Sequence, residues 1–345
     1  MQGIFTISLD FELHWGVFDK KDRKSREACY RNTLEKAVPG MLELFTKYDV
    51  HVTWATVGSL FANNRQEWES LKPAVEPEYE MQAYSPYKWV RQYGMDDEYH
   101  WAHFAPDAVA AILKYPGQEL ATHTFSHYYC LEKQHEKNAF DADLKAAVKA
   151  AEKYKAPMVS LVFPRNQFNP EYLKICYDNG IKTVRSNPAD WFWKPVTNKG
   201  SSLFRKIIRT LDAYIQVGGK RTSYPLSDIK ITPGEPLQLP ASRFLRPWRD
   251  KYRFANGLRL RRLCQEMTMA AKRGECFHLW WHPENFGDHP EKNLESLEVL
   301  LKHYQKCKEK YGMTSWTMGE YAEHLLPKEE SQNSQTSQMS HMSQS

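Results

Sequence analysis

The sequence predicts a parallel α/β architecture, and three observations carry that prediction. Short apolar, β-branched runs alternate with amphipathic helical stretches along most of the chain. Polar clusters recur directly after those runs, where the C-terminal ends of parallel strands converge on one mouth. The length of 345 residues suits either two ordinary domains or one large barrel with insertions.

Composition narrows the class. The chain is 41% hydrophobic and 26% charged, with a formal net charge of +5, as in an ordinary globular protein. The positive excess is spread along the chain and forms no aromatic-interleaved basic block, so nucleic acid is not an expected partner. No apolar run approaches the roughly twenty residues of a bilayer span. The start, Met1 to Ile7, lacks a signal-peptide pattern and runs straight into a strand, so the expected location is the cytoplasm. Six widely separated cysteines without a C-x-x-C pair fit reduced, buried thiols there.

In order, Ile4 to Asp10 alternates and reads as a strand ending in acids. Leu34, Val38, Met41, Leu42 and Leu44 mark a helix between Arg26 and Tyr48, and Val50 to Val57 a second strand. Residues 62–105 lose the pattern and gain aromatics, which predicts a long insertion over one face of the sheet. Helices follow at Pro106–Lys114 and Phe140–Tyr154, with strands at Glu119–His123 and Met158–Phe163. Order weakens again across 195–252, the second predicted insertion. There Phe204, Ile207, Ile208, Leu211 and Ile215 form one helical stripe flanked by Arg205, Lys206 and Arg209. Packing on the barrel is the plainer reading of that stripe, contact with a membrane surface the functional one. A helix from Leu258 to Lys272 with Gly274 as its stop, the strand Cys276–Trp281, and helices at Asn293–Tyr311 and Gly319–Leu326 complete the pattern. The organised unit is therefore 1–327, and the Ser/Gln-rich 328–345 is expected to be a disordered tail.

Four polar clusters follow predicted strands: Asp10/Glu12, His123/His127, Arg165/Asn166 and His282. Two residues apart on extended backbone, Asp10 and Glu12 point to the same side, either sharing a metal or dividing ligand and base roles; a solvated pair at a strand end is the bland alternative. His123 and His127 stand i, i+4, so a helical turn or a tight loop brings both imidazoles to one ion. Imidazole and carboxylate donors without thiolate suit zinc or another divalent metal with positions left for water. Metal-assisted hydrolysis then needs a base and an acid, for which Asp10 and His282 are the candidates. Arg165 could pair with Asp10, and Asp190 could orient His282 in turn, while for either residue alone a structural salt bridge is the plainer reading. His100 and His103 sit in the irregular insertion without strand-end acids and read as structural, as do His14 and His278.

Taken in this order, the clusters resemble the NodB-homology polysaccharide deacetylases, carbohydrate esterase family four, over roughly residues 4–325. The likeness implies a distorted (β/α) barrel with a long insertion after the second strand. Ser8-Leu9-Asp10-Phe11-Glu12 resembles the first family motif, which implies Asp10 as base and Glu12 as ligand. His123-Thr124-Phe125-Ser126-His127 matches H-[ST]-x-x-H, implying two ligand histidines. Phe163-Pro164-Arg165-Asn166-Gln167 resembles the third motif, implying that Arg165 orients the base. Leu279-Trp280-Trp281-His282 resembles the last, implying His282 as acid with Asp190-Trp191 as its support. Two departures stand out: Phe11 separates the acids that are usually adjacent, and Asn166-Gln167-Phe168 replaces the usual Pro-Tyr.

The resemblance implies metal-dependent hydrolysis, with zinc as the expected ion, of an N-acetyl or N-formyl group on an amino sugar. The long insertion and absent signal peptide point to a nucleotide- or lipid-linked polysaccharide precursor inside the cell, with peripheral membrane contact through the 204–215 stripe an open reading. Aromatics of the insertion and Trp191 are candidates to stack on sugar faces. Hydrolysis of a non-sugar amide or other C–N bond, and a glycan-binding barrel without catalysis, are the alternatives.

Overall fold

The computed structural model describes residues 2–95, 97–132, 137–197, 200, 202–215, 217 and 222–327; the expected tail, 328–345, lies outside the described residues. Among the described residues ten strands form one sheet: β1 (Ile4–Phe11), β2 (Val52–Thr56), β3 (Gln118–Thr122), β4 (Ser160–Val162), β5 (Thr183–Ser186), β6 (Tyr224–Pro225), β7 (Leu237–Pro240), β8 (Arg243–Phe244), β9 (Glu275–Trp281) and β10 (Thr314–Ser315). Its order is β6-β9-β1-β2-β3-β4-β5-β7, with β10 on β1 and β8 on β9. All pairings are parallel except β6 with β9.

Curling follows from one extended run. Through β7 and β8 the chain bonds to β5 at one end and to β9 at the other, with only Ala241 and Ser242 between. Ala241 N–H donates to Ser186 O and Ser242 N–H to His278 O, so this run bridges the two ends of the curled sheet into a distorted barrel.

Period-two alternation separates two environments. On β1, Phe5, Ile7, Leu9 and Phe11 belong to the apolar layer under the helices, together with Met41, Phe45, Leu297, Leu300 and Leu301. Ile4, Thr6, Ser8 and Asp10 face the interior, which turns from apolar to polar toward the mouth. At the closed end Ile4, Leu237, Leu239, Cys276 and Met318 form a small cluster with Tyr321. The helix Met318–Leu325, started by a Thr317/Glu320 capping box, plugs that end and sets the Tyr321 hydroxyl 2.8 Å from Thr6 Oγ1. Above it the buried polar groups satisfy one another: Ser8 Oγ lies 2.8 Å from His278 Nε2 and accepts from Arg185 Nη1 at 3.0 Å.

Several expectations change. The 62–105 insertion is not irregular: it contains helices Arg65–Leu71, Pro86–Tyr93 and His100–His103. Helices this short show no readable period, and their aromatics are spent on packing; Trp68 stacks on Trp15 at 6.0 Å, and Tyr87 and Trp101 are buried. Between Arg26 and Tyr48 the helix is interrupted at Thr33–Ala37 by a wider turn. Five cysteines are buried and Cys264 half-buried, all free. Among the described residues no helix is long and apolar enough to cross a membrane.

Candidate metal centre and active site

Strand register sets the level of the mouth. Phe11, Thr56 and Thr122 are paired across β1, β2 and β3, so Glu12 and His123 emerge at one level, one residue beyond, with β2 between them. Glu12 then opens a short 3₁₀ turn, Leu13–Gly16. A β-carbon on Gly16 would lie 1.7 Å from Glu12 Oε2, so only glycine leaves room for this carboxylate.

His123 and His127 meet through a tight loop and not a helical turn. Thr124 and His127 both have positive φ (63° and 56°), strain for side-chain-bearing residues that needs outside support. The buried Asp143 supplies it, accepting from Phe125 N–H at 2.7 Å and from the Ser126 hydroxyl. Burial pushes the Asp143 carboxyl up to about 6 even though these bonds pull the other way. Thr124 Oγ1 accepts from Tyr128 N–H at 2.7 Å and closes the loop.

Both imidazoles direct Nε2 at one oxygen: Glu12 Oε1 is 3.0 Å from His123 and 3.3 Å from His127. Their Nδ1 atoms are buried with no protein partner. Ligands bound at about 2.0–2.2 Å in a tetrahedron stand roughly 3.3–3.5 Å apart, so this N₂O set fits a divalent ion. Burial opposes the charge on Glu12, yet the neighbouring His282, His127 and His123 hold its carboxyl well below the usual range. Burial also drives His127 down to about 4 against the pull of Glu12, leaving a neutral ring with a lone pair to offer at pH 7.

Beside this trio, Asp10 lies in the barrel mouth, held by an arginine that sequence reasoning did not choose. Arg185, from β5, grips it with Nη1 to Oδ1 at 2.6 Å and Nη2 to Oδ2 at 2.7 Å, the two-pronged geometry a guanidinium suits best. Its guanidinium also lies 4.4 Å from the Trp280 ring. The expected Arg165–Asp10 pair is therefore corrected. Arg165 and Asn166 both have positive φ, and the loop they turn sends Arg165 to Asp19 Oδ1 (2.5 Å) and Gly16 O (3.3 Å), over the Tyr129 ring. Arg165 steadies the loop after Glu12, and Asn166 Oδ1 accepts from Arg185 at 3.3 Å.

His282 completes the group from the end of β9, partly exposed. Its Nε2 is 3.6 Å from Glu12 Oε1 and 3.8 Å from Asp10 Oδ2. The ring is walled by Phe244 and Trp280, and Nδ1 faces Asn285 at 3.3 Å. Asp190 was expected to orient it; the residue is buried before the turn Trp191–Trp193, and the partners of His282 are Asn285 and the two acids instead. Two contributors went unread. One is Arg185, whose signal was a lone charge in the β-branched stretch Thr183–Ser186. The other is Glu284, a buried carboxyl whose Oε2 has no partner and which burial and the nearby Glu12 push well above the usual range.

The centre opens into a cleft of about 650 Å³, a size suited to a small-molecule moiety. Glu12, Arg165, His282 and Glu284 line its depth and Lys21, Arg26, Arg249 and Lys251 its rim. Its lining aromatics are Tyr30 and Trp248; the insertion's aromatics and Trp191 are not among them. His14 and His103, read as structural, are buried against each other and Trp89.

Comparison with known proteins bears on this arrangement. Residues 18–184 match the family model described as polysaccharide deacetylase. That stretch contains His123, His127 and Arg165 but not Asp10, Glu12, Arg185 or His282. Among solved structures, a protein assigned as a polysaccharide deacetylase from Mycobacterium smegmatis matches with a TM-score of 0.57 at 12% identity, over 94% of this chain and 91% of that one. Another so assigned, from Pseudomonas aeruginosa PAO1, matches with 0.54 at 12% identity, over 93% and 90%. The Puue allantoinase matches with 0.53 at 11% identity, over 93% and 89%. These likenesses show the fold. No curated protein matches the sequence.

Proposed function

We propose, from the match of residues 18–184 to the polysaccharide deacetylase family model, that the chain is a zinc-dependent hydrolase. It removes an N-acetyl or N-formyl group from an amino sugar in a nucleotide- or lipid-linked polysaccharide precursor. One observation carries the metal-dependent chemistry: Glu12 Oε1 stands between the Nε2 atoms of His123 and His127, beside an Asp10 held on both oxygens by Arg185.

Glu12, His123 and His127 would hold the ion. When bound, it supplies a Lewis acid that polarises the amide carbonyl and acidifies water. Asp10 takes the proton of the attacking water, its carboxylate plane fixed by the Arg185 fork. His282, whose Nε2 faces both acids at the mouth, carries a proton to the departing amine. Arg165 acts as a positioning residue through Asp19 and the Gly16 carbonyl. Glu284, whose carboxyl burial and the neighbouring Glu12 push well above the usual range, lines the cleft beside them.

The test measures acetate and formate release from a panel of nucleotide-linked and lipid-linked N-acyl amino sugars. It compares zinc-loaded protein with metal-stripped protein and with His123→Ala. Release that requires both the metal and His123 supports the proposal and names the substrate. No release from protein that binds zinc through His123 would overturn the sugar assignment in favour of another C–N bond.

A further inference from the structure

The helix Leu203–Leu211 is mounted with its sides reversed. In a helix packed on a globular core the apolar stripe faces inward. Here Leu203, Phe204, Ile207 and Leu211, with Ile215 just beyond, face outward, at exposures between 44% and 73%. Arg209 faces in: its Nε donates to Phe192 O at 2.7 Å and its guanidinium lies over Trp193 at 4.6 Å, while Arg246 Nη2 reaches the Arg209 carbonyl at 2.8 Å. Trp191, itself half exposed, stacks on Phe204 at 6.3 Å. The plainer expectation, that this stripe packs on the barrel, thus fails for Phe204, Ile207, Leu211 and Ile215, and only Ile208 of the five is half-buried.

What surrounds the stripe identifies its partner. Apart from the inward-facing Arg209, the sequence from Trp191 to Arg221 has six Lys or Arg and a single acid, Asp212. That acid is buried in ion pairs with Arg243 and Arg262, so it offsets none of the surface charge. Lys194 and Lys206 are exposed beside the apolar residues. Outward apolar residues, an aromatic at the border and basic side chains around them are the features of a segment lying in the interfacial layer of a negatively charged bilayer.

The location ties this surface to the cleft. Trp193 meets Trp280, which contacts His282. Arg246 is followed by Pro247 to Lys251, part of the cleft lining. We propose that the helix Leu203–Leu211 and its flanks dock on an anionic lipid surface, holding the cleft mouth against the headgroups. An amino sugar is then taken while its lipid carrier stays in the bilayer. The docking stands on the surface alone; the choice of a lipid-linked over a nucleotide-linked substrate rests on the hydrolase reading.

The experiment is co-sedimentation of the full chain with vesicles of phosphatidylcholine alone and of phosphatidylcholine mixed with phosphatidylglycerol. Phe204→Ser/Ile207→Ser is run beside the unaltered protein. Binding is expected to the mixed vesicles, to fall with added salt, and to weaken roughly tenfold or more in the double variant. Its melting temperature should not change, because neither side chain is buried. Failure to bind mixed vesicles at low salt overturns the docking, as does equal binding by the double variant. So does a dimer in solution that the same substitutions dissociate, since the stripe would then meet a second copy. Vesicle binding without hydrolysis of any amino sugar would leave the docking standing and remove the substrate assignment.

Discussion

Two walls of the cleft handle charge in opposite ways. On the β1–β3 side three ionic groups are each held against a partner: Asp10 by Arg185, Glu12 by two imidazoles, Arg165 by Asp19. On the side built from 191–262 one buried acid, Asp212, draws in Arg243 and Arg262, while Arg209, Arg246 and Arg259 donate to backbone carbonyls. The first wall fixes atoms; the second fixes only where helices lie and leaves apolar side chains outside. A barrel mouth can thus combine a rigid reaction centre with an adhesive rim, provided the charges of each are satisfied separately.

The largest effect that would break this contrast lies at Arg185. Arg185→Met leaves the Asp10 carboxylate buried without its partner, and removing one member of a buried pair costs about 3–5 kcal/mol. Urea unfolding checks this. Arg185→Lys should recover only part of the loss, because an ammonium cannot grip both oxygens. Arg165→Met should shift the loop after Glu12 while the Asp10–Arg185 pair persists. If Arg165→Met proved the more damaging to Asp10-dependent hydrolysis, the division of the two arginines would be wrong.

A smaller loss is expected on the other wall. Asp212→Asn weakens the contacts of Arg243 and Arg262, but both also pair with Glu266. The cost should therefore stay near that of one charge-assisted hydrogen bond, about 1.5–3 kcal/mol, read from the same urea midpoints. A cost equal to that of Arg185→Met would mean that the two walls are equally rigid.

How much of this was legible differs between the walls for a physical reason. The strands β1, β2, β4 and β9 are buried along their whole length and read as largely apolar runs, while β3 is buried only over Leu120–Thr122; the acids and histidines at the strand ends stood out because they interrupt those runs. β5 is four residues long and carries Arg185 toward the barrel interior, so its composition did not look like a strand and its arginine was passed over for Arg165, the one that followed a readable strand. The bridging strands β7 and β8 total six residues around Pro240 and have no period to detect. On the second wall the helical stripe at 204–215 was plain, but its direction was not. Periodicity says that residues share a face, never which way the face points; that depended on Arg209 finding the Phe192 carbonyl.

Asp143 gives an intermediate test confined to the rigid wall. Its carboxyl, raised to about 6 by burial, is protonated more readily in the folded chain than in the unfolded one, where about 3.9 is ordinary. Its contribution to stability is fully present below about pH 4 and is lost as pH rises through about 6. Relative to Asp143→Asn, which cannot ionise, the unaltered protein should therefore gain melting temperature as pH falls from 7 to about 4.5. A difference between the two that is flat with pH would mean that the 123–127 loop does not hold Asp143 as buried as it appears.

The smallest expected effect is the most discriminating for the second wall. Leu203→Ser and Leu211→Ser replace side chains that are exposed already, so each should alter stability by no more than about 0.5 kcal/mol. Truncating a buried leucine to alanine in the core under β1, such as Leu300, should cost about 2–5 kcal/mol. Urea midpoints for the three variants place the stripe on one side or the other of that gap. A loss above about 1.5 kcal/mol at Leu203 or Leu211 would mean that the helix buries its apolar face against its own chain in solution. The adhesive rim would then be an internal packing surface, and the contrast between the walls would reduce to one of depth.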